Sequence, residues 1–268
     1  MKSSPFDYHR PESLAEALSL FAEWGEEARA LAGGQSLVPM LAMRLARPAV
    51  LVDLARIPEL RGVTKTAGGW RIGSMTREVE LERAGGLPPI IAAAISHIGH
   101  FQIRTQGTVG GSLVHLDPAG EWPALSVLLE ATLELVSSRG SRRLSAREFA
   151  LAPMLAALEP DELLVAVQLP DCGGPFGFAE VERRPGDFAL VGAACHGSRV
   201  VAFGTGRVPQ RLTGCEAHLA AGGGPGLELR KLAEDEMEAH GDIHASAAYR
   251  RQVGARLVER VVGAAAAA

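Results

Sequence analysis

Several things are scarce in this chain, and each shortage narrows what it can be. No apolar run approaches the roughly eighteen residues that a membrane helix needs. The first residues, Met1-Lys2-Ser3-Ser4-Pro5-Phe6, hold no apolar signal core, so the cytoplasm is the expected location. There is no basic excess: the formal net charge is −4, which argues against a nucleic-acid partner. Cysteine is limited to Cys172, Cys195 and Cys215, with no Cys-x-x-Cys pair. Reduced thiols are expected, and an iron–sulfur cluster built from this chain alone is excluded, since about four cysteines are the usual requirement. Aromatic residues make up only 5% of a sequence that is 47% hydrophobic, so Ala, Leu and Val must fill the core. Nucleotide fingerprints of the G-x-G-x-x-G and G-x-x-x-x-G-K-[ST] types are absent; Gly204-Thr205-Gly206 lacks the third glycine. His97 and His100 straddle Gly99 without a third ligand, so no metal site is expected. No side chain stands out as acid, base or nucleophile.

What the chain does have is two short glycine pairs, in Ala32-Gly33-Gly34-Gln35-Ser36 and in Thr108-Val109-Gly110-Gly111-Ser112. Each follows a stretch that reads as a strand. Without a Cβ, such a turn can bring consecutive backbone N–H groups close to an anion. Two of them suggest a two-walled cradle suited to a pyrophosphate; the plainer reading is a pair of tight turns.

The rest of the pattern is mixed α and β. Ser13-Leu14-Ala15-Glu16 is a capping box ahead of an apolar stripe at Leu14, Ala17, Leu18, Phe21 and Ala22. A strand at 29–32, a helix capped by Ser36 and running to Arg44, and a strand at 50–54 then form a small βαβ unit. A hairpin is expected around Ala67-Gly68-Gly69, a helix capped by Thr76, and a helical stripe at Ile90, Ile91, Ala94, Ile95 and Ile98. Residues 101–105 read as extended. Asp117-Pro118 reads as N-cap and first helical position of a helix to Glu130. Strands at 132–136, 142–144 and 163–169 follow. Asp171-Cys172-Gly173-Gly174-Pro175 reads as a domain boundary. Beyond it come an antiparallel meander (176–182, 188–195, 199–203) and helices at 215–220, 229–238 and 246–262. The alanine tail from Ala264 is expected to fray.

With both loops in place, the chain resembles the FAD-binding, medium subunit of the molybdenum hydroxylases, the family of carbon monoxide dehydrogenase and xanthine dehydrogenase. The segments Ala32-Gly33-Gly34-Gln35-Ser36-Leu37-Val38-Pro39 and Ile103-Arg104-Thr105-Gln106-Gly107-Thr108-Val109-Gly110-Gly111-Ser112 are similar to its two flavin loops. Asp117-Pro118-Ala119 and Trp122-Pro123-Ala124 continue the pattern. Arg183-Arg184-Pro185-Gly186-Asp187-Phe188-Ala189 resembles a C-terminal signature, and Ala245-Ser246-Ala247-Ala248-Tyr249-Arg250-Arg251 the start of the last helix.

The resemblance implies an α+β fold: a two-part FAD-binding domain of the PCMH type at 1–171, with subdomains of about 1–55 and 56–171, then a small antiparallel-sheet-plus-helices domain at 175–268. It implies non-covalent FAD, with [2Fe-2S] clusters and molybdopterin on partner chains. Those partners are an iron–sulfur small subunit and a molybdopterin large subunit, in a heterotrimer that is often doubled. Electrons would pass from the clusters to the flavin and on to an external acceptor. Carried over by position, Ala32, Gly33, Gly34, Gln35, Ser36 and Leu37, with Thr108, Gly110, Gly111 and Ser112, would hold the pyrophosphate and ribityl chain. His115 would face the cofactor, Glu121 the adenosine ribose, and Leu164 the isoalloxazine ring. Asp117 would touch FAD or serve only as a helix cap, and the first-turn position of Glu121 also suits a simple helix-dipole role. Gln35 stands where some relatives have His, so no histidyl–flavin bond is expected. Glu180 and Glu182 stand where many relatives have lysines. Two other readings stay open at this point, a self-contained flavin oxidase and a scaffold subunit with a degenerate flavin site.

Overall fold

The computed structural model describes residues 2–267, so Met1 and Ala268, the outer ends of the two expected domains, lie outside the described residues. The first unit is a small parallel sheet. It contains β1 (Asp7–His9), α1 (Leu14–Trp24), β2 (Ala28–Leu31), α2 (Leu37–Ala42) and β3 (Val50–Asp53). Strand order is β1-β3-β2, both pairings parallel, so the expected βαβ unit gains an additional strand. Ser13 caps α1 by accepting from Glu16 N, and Gly25 ends it at φ 48°. The buried face of α1, Ala17, Leu18 and Phe21, lies in one core with Val50 and Val52.

The second unit is a five-stranded antiparallel sheet with helices. It runs through β4 (Val63–Thr66), β5 (Gly69–Gly73), α3 (Glu78–Arg83), α4 (Pro89–Ile95), α5 (Phe101–Arg104), α6 (Val109–His115) and α7 (Glu121–Leu128). It continues with β6 (Thr132–Ser137), β7 (Gly140–Ser145), α8 (Ala146–Phe149), the short hairpin of β8 (Ala150–Ala152) and β9 (Leu155–Ala156), and β10 (Leu163–Pro170). The order is β4-β5-β10-β6-β7. The near-continuous apolar run of β10 marks a strand covered on both faces. Leu163 and Val165 join the core of the first unit, while Leu164, Val167 and Leu169 join the large core that contains α4 and α7.

The third unit is a four-stranded antiparallel sheet of β11 (Phe176–Val181), β12 (Val191–His196), β13 (Arg199–Phe203) and β14 (Gln210–Arg211). It is followed by α9 (Thr213–Ala220), α10 (Leu227–Glu236) and α11 (Ala247–Ala266). All six residues of β12 are buried. Ala193, Cys195, Val200 and Ala202 pack into the core formed with α9 to α11; Ala194, Val201 and Phe203 point the other way, into the core of the second unit. That double coverage ties the third unit to the second.

Several local expectations are corrected. Thr76 caps no helix: α3 starts at Glu78 after Arg77, and Thr76 Oγ1 pairs with the Gly62 backbone. Residues 101–104 are a helical turn, α5, not an extended stretch. Asp117 does not cap a helix: α7 starts at Glu121 with Gly120 as N-cap. Ala264–Ala266 continue α11, and Ala265 is buried in the C-terminal core.

Candidate functional site

The two glycine loops lie against each other. An ideal Cβ on Gly33 would sit 2.2 Å from Gln106 O and 3.0 Å from Gly107 Cα, and one on Gly111 would lie 3.6 Å from the Ala32 Cβ. Arg77 donates to the same Gln106 carbonyl. The expected residues Ala32–Leu37 and Thr108–Ser112 are therefore brought together at the seam of the first and second units.

The loops are built differently. In the first, β2 ends at Leu31 and Gly34 turns the chain at φ 72°, a conformation in which a Cβ is strained. Gln35 Nε2 folds back on Gly33 O at 2.9 Å. Ser36 makes no side-chain cap for α2. The backbone N–H groups of Gly33, Gly34, Gln35, Ser36 and Leu37 find no acceptor among the described residues. Five successive free donors are the chemistry of an anion cradle.

In the second loop the donors from Val109 to Ser112 are used up, and only Thr108 N finds no acceptor among the described residues. Thr108 forms an antiparallel bridge with Arg77, and Val109 N donates to Thr76 O (3.2 Å). Gly110 N donates to Ser74 O (2.8 Å), and Gly111 N to Thr108 Oγ1 (3.1 Å). Thr108 is thus the true cap of α6, a helix that the two glycines concealed. Ser74 N in turn donates to Val165 O (3.0 Å), which fixes the loop to β10. An ideal Cβ on Gly110 would lie 2.5 Å from the Ser74 Cβ, so glycine here serves close approach. What this loop presents is side chains.

Beyond α6, Leu116 at φ 51° turns the chain after His115, which is half-buried. Asp117 Oδ1 accepts from Ala119 N (2.9 Å) and Asp117 O from Gly120 N (2.9 Å), a local turn that delays the helix to Glu121. Glu121 is buried. Burial first, then the nearby Glu180, Glu78 and Asp117, raise its carboxyl well above the ordinary range. Leu164 is buried in the large core one strand position from Val165.

Other residues in this region were not legible as site residues. Glu78, 1% exposed, accepts from Ser112 Oγ at 2.9 Å, while its Oε2 has no hydrogen-bond partner. Its local sequence, Arg77-Glu78-Val79-Glu80-Leu81-Glu82-Arg83, reads as a solvated charged helix, and only tertiary packing buries it. The Glu180 side chain is fully buried and lies 3.6 Å from His97 Nδ1, which pairs the turn after α4 with β11 when His97 is protonated. That carboxylate, against the opposing effect of burial, raises the His97 pKa. Among the described residues no group of three or more His, Cys, Asp or Glu could hold a metal ion. No helix is long and apolar enough to cross a membrane among the same residues.

Two α/β units meeting at paired glycine loops, with a third sheet locked onto the second, define a site for a phosphate-bearing ligand, and the comparisons give its class. Residues 4–172 match the family described as the FAD binding domain in molybdopterin dehydrogenase, and the chain belongs to that family. It is 34% identical over 280 residues to the 6-hydroxypseudooxynicotine dehydrogenase complex subunit alpha of Paenarthrobacter nicotinovorans, covering 98% of this chain and 95% of that one. It is 38% identical over 194 residues to the carbon monoxide dehydrogenase medium chain of Hydrogenophaga pseudoflava, covering 70% of this chain and 68% of that one. Among solved structures, quinoline 2-oxidoreductase from Pseudomonas putida 86 superimposes with a TM-score of 0.93 at 33% identity, over 100% of this chain and 99% of that one.

Proposed function

We propose that this chain is the FAD-carrying, electron-transferring subunit of a molybdenum hydroxylase complex. In this reading an iron–sulfur small subunit and a molybdopterin large subunit are its partners, in a heterotrimer that is often doubled, working in the cytoplasm. The cofactor-binding part is 1–171, with 175–268 as the C-terminal domain. The observation that carries the reading is the run of five N–H groups at Gly33–Leu37 with no acceptor among the described residues, pressed against a second glycine loop. That donor set fits a pyrophosphate.

When bound, the flavin supplies the redox chemistry, accepting electrons from one partner and passing them to an external acceptor. The chain's own residues bind and orient. Ala32 and the backbone donors of Gly33, Gly34, Gln35, Ser36 and Leu37 receive the pyrophosphate. Thr108, Gly110, Gly111 and Ser112 form the facing wall along the pyrophosphate and ribityl chain, with Ser112 at the phosphate. His115 and Asp117 would border the site, and Leu164, buried in the large core, would back the ring from behind the second loop. Glu121, in the first turn of α7, offers its carboxyl oxygens to a ribose diol. Gln35, engaged with Gly33 O, offers no imidazole for a covalent link.

Acid precipitation of the purified protein tests this. All the flavin should appear in the supernatant as FAD. Flavin retained in the pellet, or a colourless protein that takes up no FAD on titration, would count against it. A self-contained oxidase is separated by mixing the lone subunit with purines, aldehydes, pyridines or carbon monoxide. The flavin band should bleach only after the two partner chains are added.

A further inference from the structure

Glu78 has a place in the fold that its sequence neighbours do not explain. It opens α3 beneath the second glycine loop and touches that loop at both ends. Its N donates to Gly107 O at 3.1 Å, and Ser112 Oγ lies 2.9 Å from Oε1. The Oε2 atom lies so close to Gly107 that an ideal Cβ there would be 2.4 Å away. The carboxyl is thus wedged between the loop's first glycine and its last serine, with one oxygen unpartnered and no donor besides Ser112.

A serine hydroxyl has one hydrogen. While Glu78 is ionised, that hydrogen is committed to Oε1, and Ser112 turns only lone pairs outward, which repel an anion. When Glu78 is protonated, its own O–H can donate to Ser112 Oγ across the same 2.9 Å, and the serine hydrogen is released. Building on the FAD-binding reading, we propose that Glu78 is a proton-linked positioning residue that decides whether Ser112 donates to the cofactor's phosphate.

The surroundings put this switch within reach of physiological pH. Burial pushes the Glu78 carboxyl up to about 7, against the lowering effects of the Ser112 bond and of Arg104 and Arg77. Neither arginine bonds to it. Arg104, from α5, is held by Glu82 and by the Ile98 and Gly99 carbonyls, and Arg77 by Gln106 O. Glu80 and Glu82 share its helix; α4, Pro89–Ile95, carries no titratable side chain; Glu121, at the start of α7, adds like charge only when ionised.

The test is the dissociation constant of FAD from the full-length apoprotein, followed by flavin fluorescence from pH 6 to 8.5, with riboflavin as the phosphate-free probe. For the wild type the FAD constant should rise about tenfold across this range, as one-proton linkage allows. Glu78→Gln, which stays neutral, should hold the constant flat within about twofold. Ser112→Ala should also be flat, near the wild type's high-pH value. Far-ultraviolet circular dichroism checks that both variants fold, and riboflavin should give no slope for any of them. A flat wild-type profile, a slope that survives in Glu78→Gln, or an equal slope with riboflavin would overturn the proposal while leaving FAD binding intact. A wild type that takes up no FAD at any pH would overturn both readings.

Discussion

The two glycine loops have nearly the same letters and opposite chemistry. Gly33-Gly34-Gln35-Ser36-Leu37 leaves five N–H groups without an acceptor among the described residues, and Gly34 uses the left-handed region. Gly110-Gly111-Ser112 sits inside a helix, neither glycine has a positive φ, and its donors are consumed by Ser74, Thr76 and Thr108. In the first loop glycine supplies conformation and open donors. In the second it supplies contact distance, so that a helix can lie on the Ser74 backbone. A Gly-Gly-Ser pattern alone does not say which role is in force; the hydrogen-bond inventory of the neighbouring strand does.

This contrast can be broken most forcefully by adding a methyl group. Gly33→Ala would drive a Cβ onto the Gln106 carbonyl, and Gly110→Ala one onto Ser74. Both neighbours are held by their own bonds, so each variant should lose about 3 kcal/mol of stability or more in urea unfolding, together with its flavin. Gly111→Ala meets the Thr108 hydroxyl at 2.9 Å and should be far milder. Near-equal unfolding midpoints for the three variants would contradict the close-approach reading.

A second effect is of similar size but depends on pH. The folded state holds the Glu78 proton up to about pH 7, against 4.5 for an ordinary glutamate. Its contribution to stability is therefore complete below about pH 4.5, falls progressively up to about pH 7, and is absent above. The whole swing corresponds to about 3 kcal/mol. Relative to the wild type, Glu78→Gln should gain stability as pH rises through that window and hold a constant offset beyond it. A difference that does not change between pH 4.5 and 8 would rule the buried, neutral carboxyl out.

The smallest effect separates the two caps. Thr108→Ala removes the bond to Gly111 N and should cost about 1 kcal/mol, as cap deletions do. Ser36→Ala removes no cap bond and should stay within about 0.5 kcal/mol. Chemical denaturation of the paired variants checks the order, and a reversed order would invert the assignment of the caps.

Much of the fold could be read ahead because local and global signals agree there. The Ser13 cap, the βαβ core around β2 and β3, and the doubly covered β10 and β12 each have a residue pattern with one physical solution. The misses are places where competing physics won. Phe101-Gln102-Ile103-Arg104 has strand-like side chains, but its N–H groups turn back on His100 and Phe101, and four residues are too few for a helical period to be visible. Asp117-Pro118 has the letters of a helix start, yet Asp117 spends its side chain on Ala119 N and its carbonyl on Gly120 N. The alanine tail lacks a polar face to pattern, but Ala265 finds the C-terminal core. The glycine loops could be named from their own letters, and Thr108 and Glu121 from the family resemblance. Glu78 could not, because nothing in a run of alternating charges says which carboxylate the fold will bury.

The three thiols carry a practical consequence. Cys172, Cys195 and Cys215 are all buried and unpaired. Burial pushes Cys195 up to about 11 and Cys215 up to about 12, and raises Cys172 as well. A thiol needs to be ionised and reachable to react, and these are neither in the closed fold. Each also sits at a different joint: Cys172 just before the third sheet, Cys195 beneath α11 with its Sγ on Val261 O, and Cys215 in α9 facing Leu229. Alkylation of each one by iodoacetamide then proceeds only when its own joint opens. The native sequence thus contains three clocks for local breathing, readable by mass spectrometry without adding a label.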